Sequence, residues 1–144
     1  MSNNKTYNVI IDTNVFISAL LTKNIESATY KVIELFFNQK ITLYYSDQIF
    51  YVYIDVLKRK KFNFDINLIK RIKKAVEEYG IKITPENKDI IMIDIKDKPF
   101  YELVMDEQID DAKLITGNIK HFPIQTNIIT PSQFMEIYNK NLNE

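Results

Sequence analysis

The 144-residue chain predicts an α/β fold, a mainly parallel sheet with helices on both faces. Two observations carry that prediction. The segment Tyr7 to Leu21 begins with the apolar run Val9, Ile10, Ile11, breaks at Asp12-Thr13-Asn14, and resumes at once with helical spacing. A buried strand feeding directly into a helix is how such sheets open. Strand-like and helix-like segments then alternate to the end of the chain, with no linker, repeat or low-complexity stretch between them. A single domain over residues 1–144, with its core at about 7–138, is the expected organisation.

The elements follow in order. Glu26 to Asn38 places Ala28, Val32, Leu35 and Phe36 on one helical face. Ile41 to Tyr45 reads as a second strand, and Ser46 as the N-cap of a helix from about Asp47 to Lys58. The buried stripe of that helix is Ile49, Tyr53, Val56 and Leu57. Asp65 caps a further helix whose Ile69, Ile72 and Val76 face inward and whose end falls at Gly80 as a C-cap. Ile81–Thr84 and Ile90–Ile93 are short strands, and Lys98 to Gln108 is helical through Phe100, Leu103 and Val104. Lys113–Thr116 and Asn127–Ile129 are the last strands. Pro131 then starts a closing helix that carries Phe134, Ile137 and Tyr138.

Composition removes several chemistries. With no cysteine there is no disulfide, thiolate metal site or cysteine nucleophile, and the chain suits a reducing cytoplasm. The single histidine, His121, excludes multi-histidine zinc sites. Two glycines, Gly80 and Gly117, exclude the glycine-rich phosphate loops. No apolar run is long enough to span a membrane, and the opening Met-Ser-Asn-Asn-Lys lacks a signal-peptide core. Net charge is zero but unevenly spread. Eight of nineteen basic residues fall between Lys58 and Lys74, and eight of nineteen acidic ones between Asp89 and Asp111. The pattern fits a phosphate track beside a metal site, and equally two solvated helix faces.

Polar residues gather where strands are expected to end. Asp12 follows the first strand, Asp94 and Asp97 follow Ile90–Ile93, and Thr116-Gly117-Asn118 follows the strand at 113–115. Each one alone reads as a helix or turn cap. Three such ends on one edge of a sheet give an oxygen-rich site of the kind that holds Mg²⁺ or Mn²⁺. An ion so held activates water against a phosphodiester.

Four motifs carry a family resemblance: Ile-Asp-Thr-Asn-Val-Phe-Ile-Ser-Ala-Leu-Leu, Ser-Asp-Gln-Ile-Phe-Tyr-Val-Tyr-Ile-Asp-Val-Leu-Lys-Arg-Lys-Lys-Phe, Asp-Ile-Lys-Asp-Lys-Pro-Phe and Leu-Ile-Thr-Gly-Asn-Ile-Lys-His-Phe-Pro. In this order and spacing, from Asn8 to about Tyr138, the chain resembles PIN domains, and within them the small prokaryotic proteins grouped as toxin components of toxin–antitoxin systems. The resemblance implies an α/β/α sandwich and Mg²⁺- or Mn²⁺-dependent cleavage of RNA by an acidic quartet. Carried over by position, Asp12 is the first acid, Asp97 the acid before Pro-Phe, and Asp94 its neighbour. The second acid falls at Val52, which cannot ligate a metal, with Asp55 one turn later as a partial substitute. The fourth falls at Asn118, which offers a carbonyl oxygen without charge. Asn14 and Thr116 match supporting polar positions.

His121 reads as part of a structural turn, Ser18 shares the helix face of Asn14, and Asp110 and Asp111 read as a solvated turn. Three functions follow as expectations. The first is a metal-dependent ribonuclease with Asp12, Asp97 and Asn118 at its centre, its activity weakened by Val52. The second is an inactive PIN-like module that binds RNA or protein. The third is an aspartate-nucleophile phosphatase, against which Asn14 stands in place of the second aspartate of that motif. The partners expected with the first are RNA, a cognate antitoxin protein and a second copy of the chain. No membrane or DNA specificity is expected. Lys58, Arg59, Lys60 and Lys61 are the candidate RNA contacts.

Overall fold

The computed structural model describes residues 6–86 and 95–142. Among them are five parallel strands and six α-helices. The strands are β1 (Asn8–Ile11), β2 (Thr42–Tyr45), β3 (Ile81–Lys82), β4 (Lys113–Ile115) and β5 (Ile128–Ile129), ordered β3-β2-β1-β4-β5 across the sheet. The helices are α1 (Thr13–Leu21), α2 (Ala28–Phe37), α3 (Asp47–Leu57), α4 (Ile66–Tyr79), α5 (Lys98–Val104) and α6 (Pro131–Leu142). This is the α/β sandwich that the alternation of elements predicts.

The centre of the sheet is β1, where Val9, Ile10 and Ile11 are fully buried, as a strand covered on both faces requires. Val9 pairs with Leu43 on one side, while Ile10 and Ile11 pair with Leu114 and Ile115 on the other. Chain order runs outward from β1 through β2 to β3, then returns past β1 to β4 and β5. The connections therefore diverge between β1 and β4, and the carboxyl ends of those two strands border a crevice. In open α/β sheets that switch point is where ligands bind.

Rings fill the layers beside the sheet. Phe16 of α1 meets Tyr53 of α3 edge-on at 4.9 Å and Phe36 of α2 at 6.0 Å. Tyr7 meets Phe134 of α6 at 5.5 Å. Burying a ring of this size stabilises the fold by about 1.5–3 kcal/mol. Helix starts follow local chemistry. Ser27 Oγ accepts from the Tyr30 amide at 3.3 Å, Ser46 Oγ from Ile49 at 3.2 Å, and Asp65 Oδ1 from Asn67 at 2.7 Å.

Several boundaries move. The helix expected from Glu26 begins at Ala28, because Ser27 takes the capping position. The helix expected to reach Gln108 ends at Val104. There the Asp106 carboxylate accepts the amide of Gln108 at 2.8 Å, a local side-chain bond that replaces the helical one. β3 stops at Lys82, although the Ile83 amide still donates to Tyr45 at 2.8 Å. Gly80 does end α4, but in an extended conformation (φ −83°, ψ 162°) rather than a left-handed one. Its reason is space: a Cβ there would stand 2.5 Å from the Val76 carbonyl oxygen and 2.9 Å from the Tyr45 ring. The strand expected at 90–93 and the candidate ligand Asp94 lie outside the described residues.

Candidate active site

The crevice between the ends of β1 and β4 is lined by the residues that follow those strands. Asp12 leaves β1 with its amide donating to the Ile115 carbonyl at 2.9 Å, so the sheet fixes its backbone. Its side chain makes no cap bond to α1 and is only 6% exposed. Instead Oδ2 accepts from Thr116 Oγ1 at 2.7 Å, and the same Oγ1 accepts from the Asn118 amide at 3.0 Å. Asn14 Oδ1 accepts from the Gly117 amide at 3.4 Å. The two strand ends are thereby stitched together by the side chains of Thr116 and Asn14. Asn118 itself is exposed at the start of a 3₁₀ turn, Ile119–His121.

Asp97 arrives from a different element. It closes the 3₁₀ turn Ile95–Asp97 and precedes α5, with its side chain 14% exposed. α5 packs against both β1 and β4, which carries Asp97 to the crevice. Burial is the main cause that raises the Asp12 carboxyl above its ordinary range. The Thr116 hydrogen bond opposes it, the charge of Asp97 adds to it, and the Thr13 amide and His121 oppose it weakly. Two carboxylates close enough to repel, one of them buried, are costly in isolation.

Two residues at the site escaped the sequence reading. Tyr53, read as core stripe, is fully buried, and its hydroxyl donates to the Ile11 carbonyl immediately before Asp12. Burial, with the Asp12 charge adding and the Ile11 bond opposing, holds the phenol well above its usual value, so it serves as a donor. His121, read as a structural turn, stands with Nδ1 3.3 Å from Asp97 Oδ2. The available signal was its position three residues after Asn118, one tight turn away.

Other expected residues fall elsewhere. Val52 is half-buried and lines a groove with Gln48, Tyr51, Ile95, Lys98 and Pro99, beside the turn that holds Asp97. Asp55 is exposed and pairs with Arg59 at 3.5 Å. Ser18 is exposed. Asp110 and Asp111 form an exposed turn, as their sequence predicts, with Asp111 at φ 48°. Lys58, Arg59, Lys60 and Lys61 lie past the end of α3. That helix starts at the carboxyl end of β2, so these residues are separated from its start by eleven residues, about 16 Å of helix.

A family model for the PIN domain matches residues 8–120. The chain belongs to the PIN domain family. The match opens on β1 and closes in the 3₁₀ turn, so Asp12, Asp97 and Asn118 all fall within it. The chain is also similar to an uncharacterized protein of Methanocaldococcus jannaschii, MJ1680, at 29% identity over 92% of each chain. The PIN domain is a nuclease-type fold, and PIN domains generally use divalent metals. Among the described residues, no three His, Cys, Asp or Glu side chains are placed to hold an ion by themselves. The donors present are nevertheless of the right kind. Asp12, Asp97 and Asn118 offer oxygen, and Thr13 Oγ1 is buried with no hydrogen-bond partner among the described residues. Among the described residues no helix is long and apolar enough to cross a membrane.

Proposed function

We propose that this PIN domain is a Mg²⁺- or Mn²⁺-dependent ribonuclease, with Asp12 and Asp97 as the carboxylates that hold the ion. The observation that carries the reading is the mutual approach of these two side chains at the switch point of the sheet. There burial and repulsion raise the Asp12 carboxyl, and a bound cation would relieve both. Such an ion would supply a water acidified so that it gives up a proton and can attack phosphorus, and positive charge against the phosphate. Thr116 keeps Oδ2 of Asp12 aimed by a 2.7 Å hydrogen bond. Tyr53 fixes the strand end beneath it, and Asn14 holds the Gly117 turn opposite. Asn118 offers a neutral oxygen at the rim.

Val52 and Asn118 leave this site with fewer charges than the full acidic quartet that the resemblance implies. We therefore expect weak metal binding and slow cleavage, because magnesium gives up its water reluctantly. A second reading, an inactive module that binds RNA or protein, is favoured by Val52 alone. In the cell the first reading assigns the role of a toxin component, with an antitoxin protein as partner and RNA as substrate. The deciding experiment is cleavage of a single-stranded RNA with Mn²⁺ by the native chain, Asp12→Asn and Val52→Glu. Slow native cleavage, lost in the first variant and raised in the second, supports the ribonuclease. Tight RNA binding with no cleavage in any of the three supports the module.

A further inference from the structure

We propose that His121 is a positioning residue of the metal centre: its imidazole grips the Asp97 carboxylate beside Asp12 and so sets the affinity of the site for a divalent ion. The proposal rests on the metal-site reading above and goes beyond it, since the four family positions fall at residues 12, 52, 97 and 118. Three observations carry it. Nδ1 lies 3.3 Å from Asp97 Oδ2, within ion-pair distance, between segments 24 residues apart in sequence. The root of the ring is held firmly although the ring itself is half exposed. The His121 amide donates to the Asn118 carbonyl at 3.0 Å, and the next residue, Phe122, is buried and bonds back to Ile119 at 3.1 Å. The ring is also near enough to act weakly on the charge of Asp12.

The chemistry explains why such a grip matters here. A carboxylate at the end of a rotatable side chain binds an ion better when a neighbour fixes its orientation, and loss of such a neighbour typically costs about 10–100-fold in metal affinity. A site with four charged ligands tolerates one that swings. This site has Val52 and Asn118 at two of those positions, so Asp97 carries a larger share of the attraction.

His121 is the only histidine in the chain, so its ring gives a single set of signals that report on the site directly. The test is Mn²⁺ affinity by electron paramagnetic resonance for the native protein, His121→Ala, His121→Gln, Asp12→Asn and Asp97→Asn. It is paired with Mg²⁺ titration of the His121 ring resonances. Expected are a drop of about 10–100-fold in His121→Ala, partial recovery in His121→Gln, which keeps a donor, and ring signals that shift with Mg²⁺ in the native protein but not in Asp97→Asn. Native binding that is lost in Asp12→Asn but unchanged in His121→Ala overturns the positioning role and leaves the metal site standing. Tighter binding in His121→Ala makes the imidazole a competitor of the ion and also overturns it. A native protein with no measurable Mn²⁺ binding overturns both readings. Should His121→Ala fail to fold, the native ring titration and His121→Gln decide.

Discussion

Replacing Thr116 with Val tests how the site holds its central carboxylate. The side chain is fully buried, and Val preserves its shape while removing the hydroxyl. Two bonds go with it, the 2.7 Å donation to Asp12 Oδ2 and the 3.0 Å acceptance from the Asn118 amide. The exposed Asn118 amide can turn to water, so the first loss dominates. A hydrogen bond to a buried charged group contributes about 1.5–3 kcal/mol. At roughly 2–4 °C per kcal/mol for a domain of this size, Thr116→Val should melt about 3–12 °C lower at neutral pH. The deficit should also depend on pH. Asp12 has a folded pKa above its unfolded one, so the stability it contributes is full below the unfolded value and is lost as pH rises through the folded value. Removing the bond that opposes this shift raises the folded value further. The variant's deficit therefore grows as pH rises through that window and shrinks in acid. Urea denaturation of both proteins from pH 3 to pH 8 reads it. A deficit below about 0.5 kcal/mol at neutral pH, or one that does not change with pH, would show that the hydroxyl does not hold an ionised Asp12.

Tyr53→Phe leaves the Ile11 carbonyl without its buried donor and should cost about 1–3 kcal/mol in urea denaturation, with Mn²⁺ affinity falling as the base of Asp12 loosens. Val52→Glu should raise Mn²⁺ affinity about tenfold or more, since a unit charge about 4 Å from another contributes on the order of 4 kcal/mol before desolvation; unchanged calorimetry would mean that position 52 does not face the ion. Gly80→Ala should destabilise by about 1–3 kcal/mol, because the new Cβ meets the Val76 carbonyl at 2.5 Å; a neutral melt would refute the crowding. Changing Lys58, Arg59, Lys60 and Lys61 to Ser should flatten the salt dependence of RNA binding by about 0.7 per lost phosphate contact. An unchanged slope would assign these three lysines and one arginine to solvent alone.

The sequence made the centre of the sheet legible because β1, β4 and β5 are built mainly of Val, Ile and Leu, which buried parallel strands need on both faces. It made Asp12 and Thr116 legible for the same reason, since residues that follow such runs must emerge at one edge. What Asp12 does there was hidden. Its local pattern is that of a helix cap, and only the pairing of β1 with β4 brings Thr116, more than a hundred residues away, within 2.7 Å. Strand order was hidden likewise, because nothing local states that β4 returns to the far side of β1. Tyr53 follows the helical stripe that also marks ordinary core, and its hydroxyl becomes informative only when Ile11 is seen above it. Asp55 stands one turn from Val52 in sequence, and its other neighbour on the helix, Arg59, was equally legible from the same spacing.

The central claim is that Asp12 and Asp97 share a divalent ion, and calorimetric titration with Mn²⁺ tests it most directly. The native protein should bind one ion weakly and saturably, Asp12→Asn and Asp97→Asn should each abolish that binding, and both variants should keep a cooperative melt. Binding that survives in both variants would contradict the account and place any metal chemistry elsewhere on the chain.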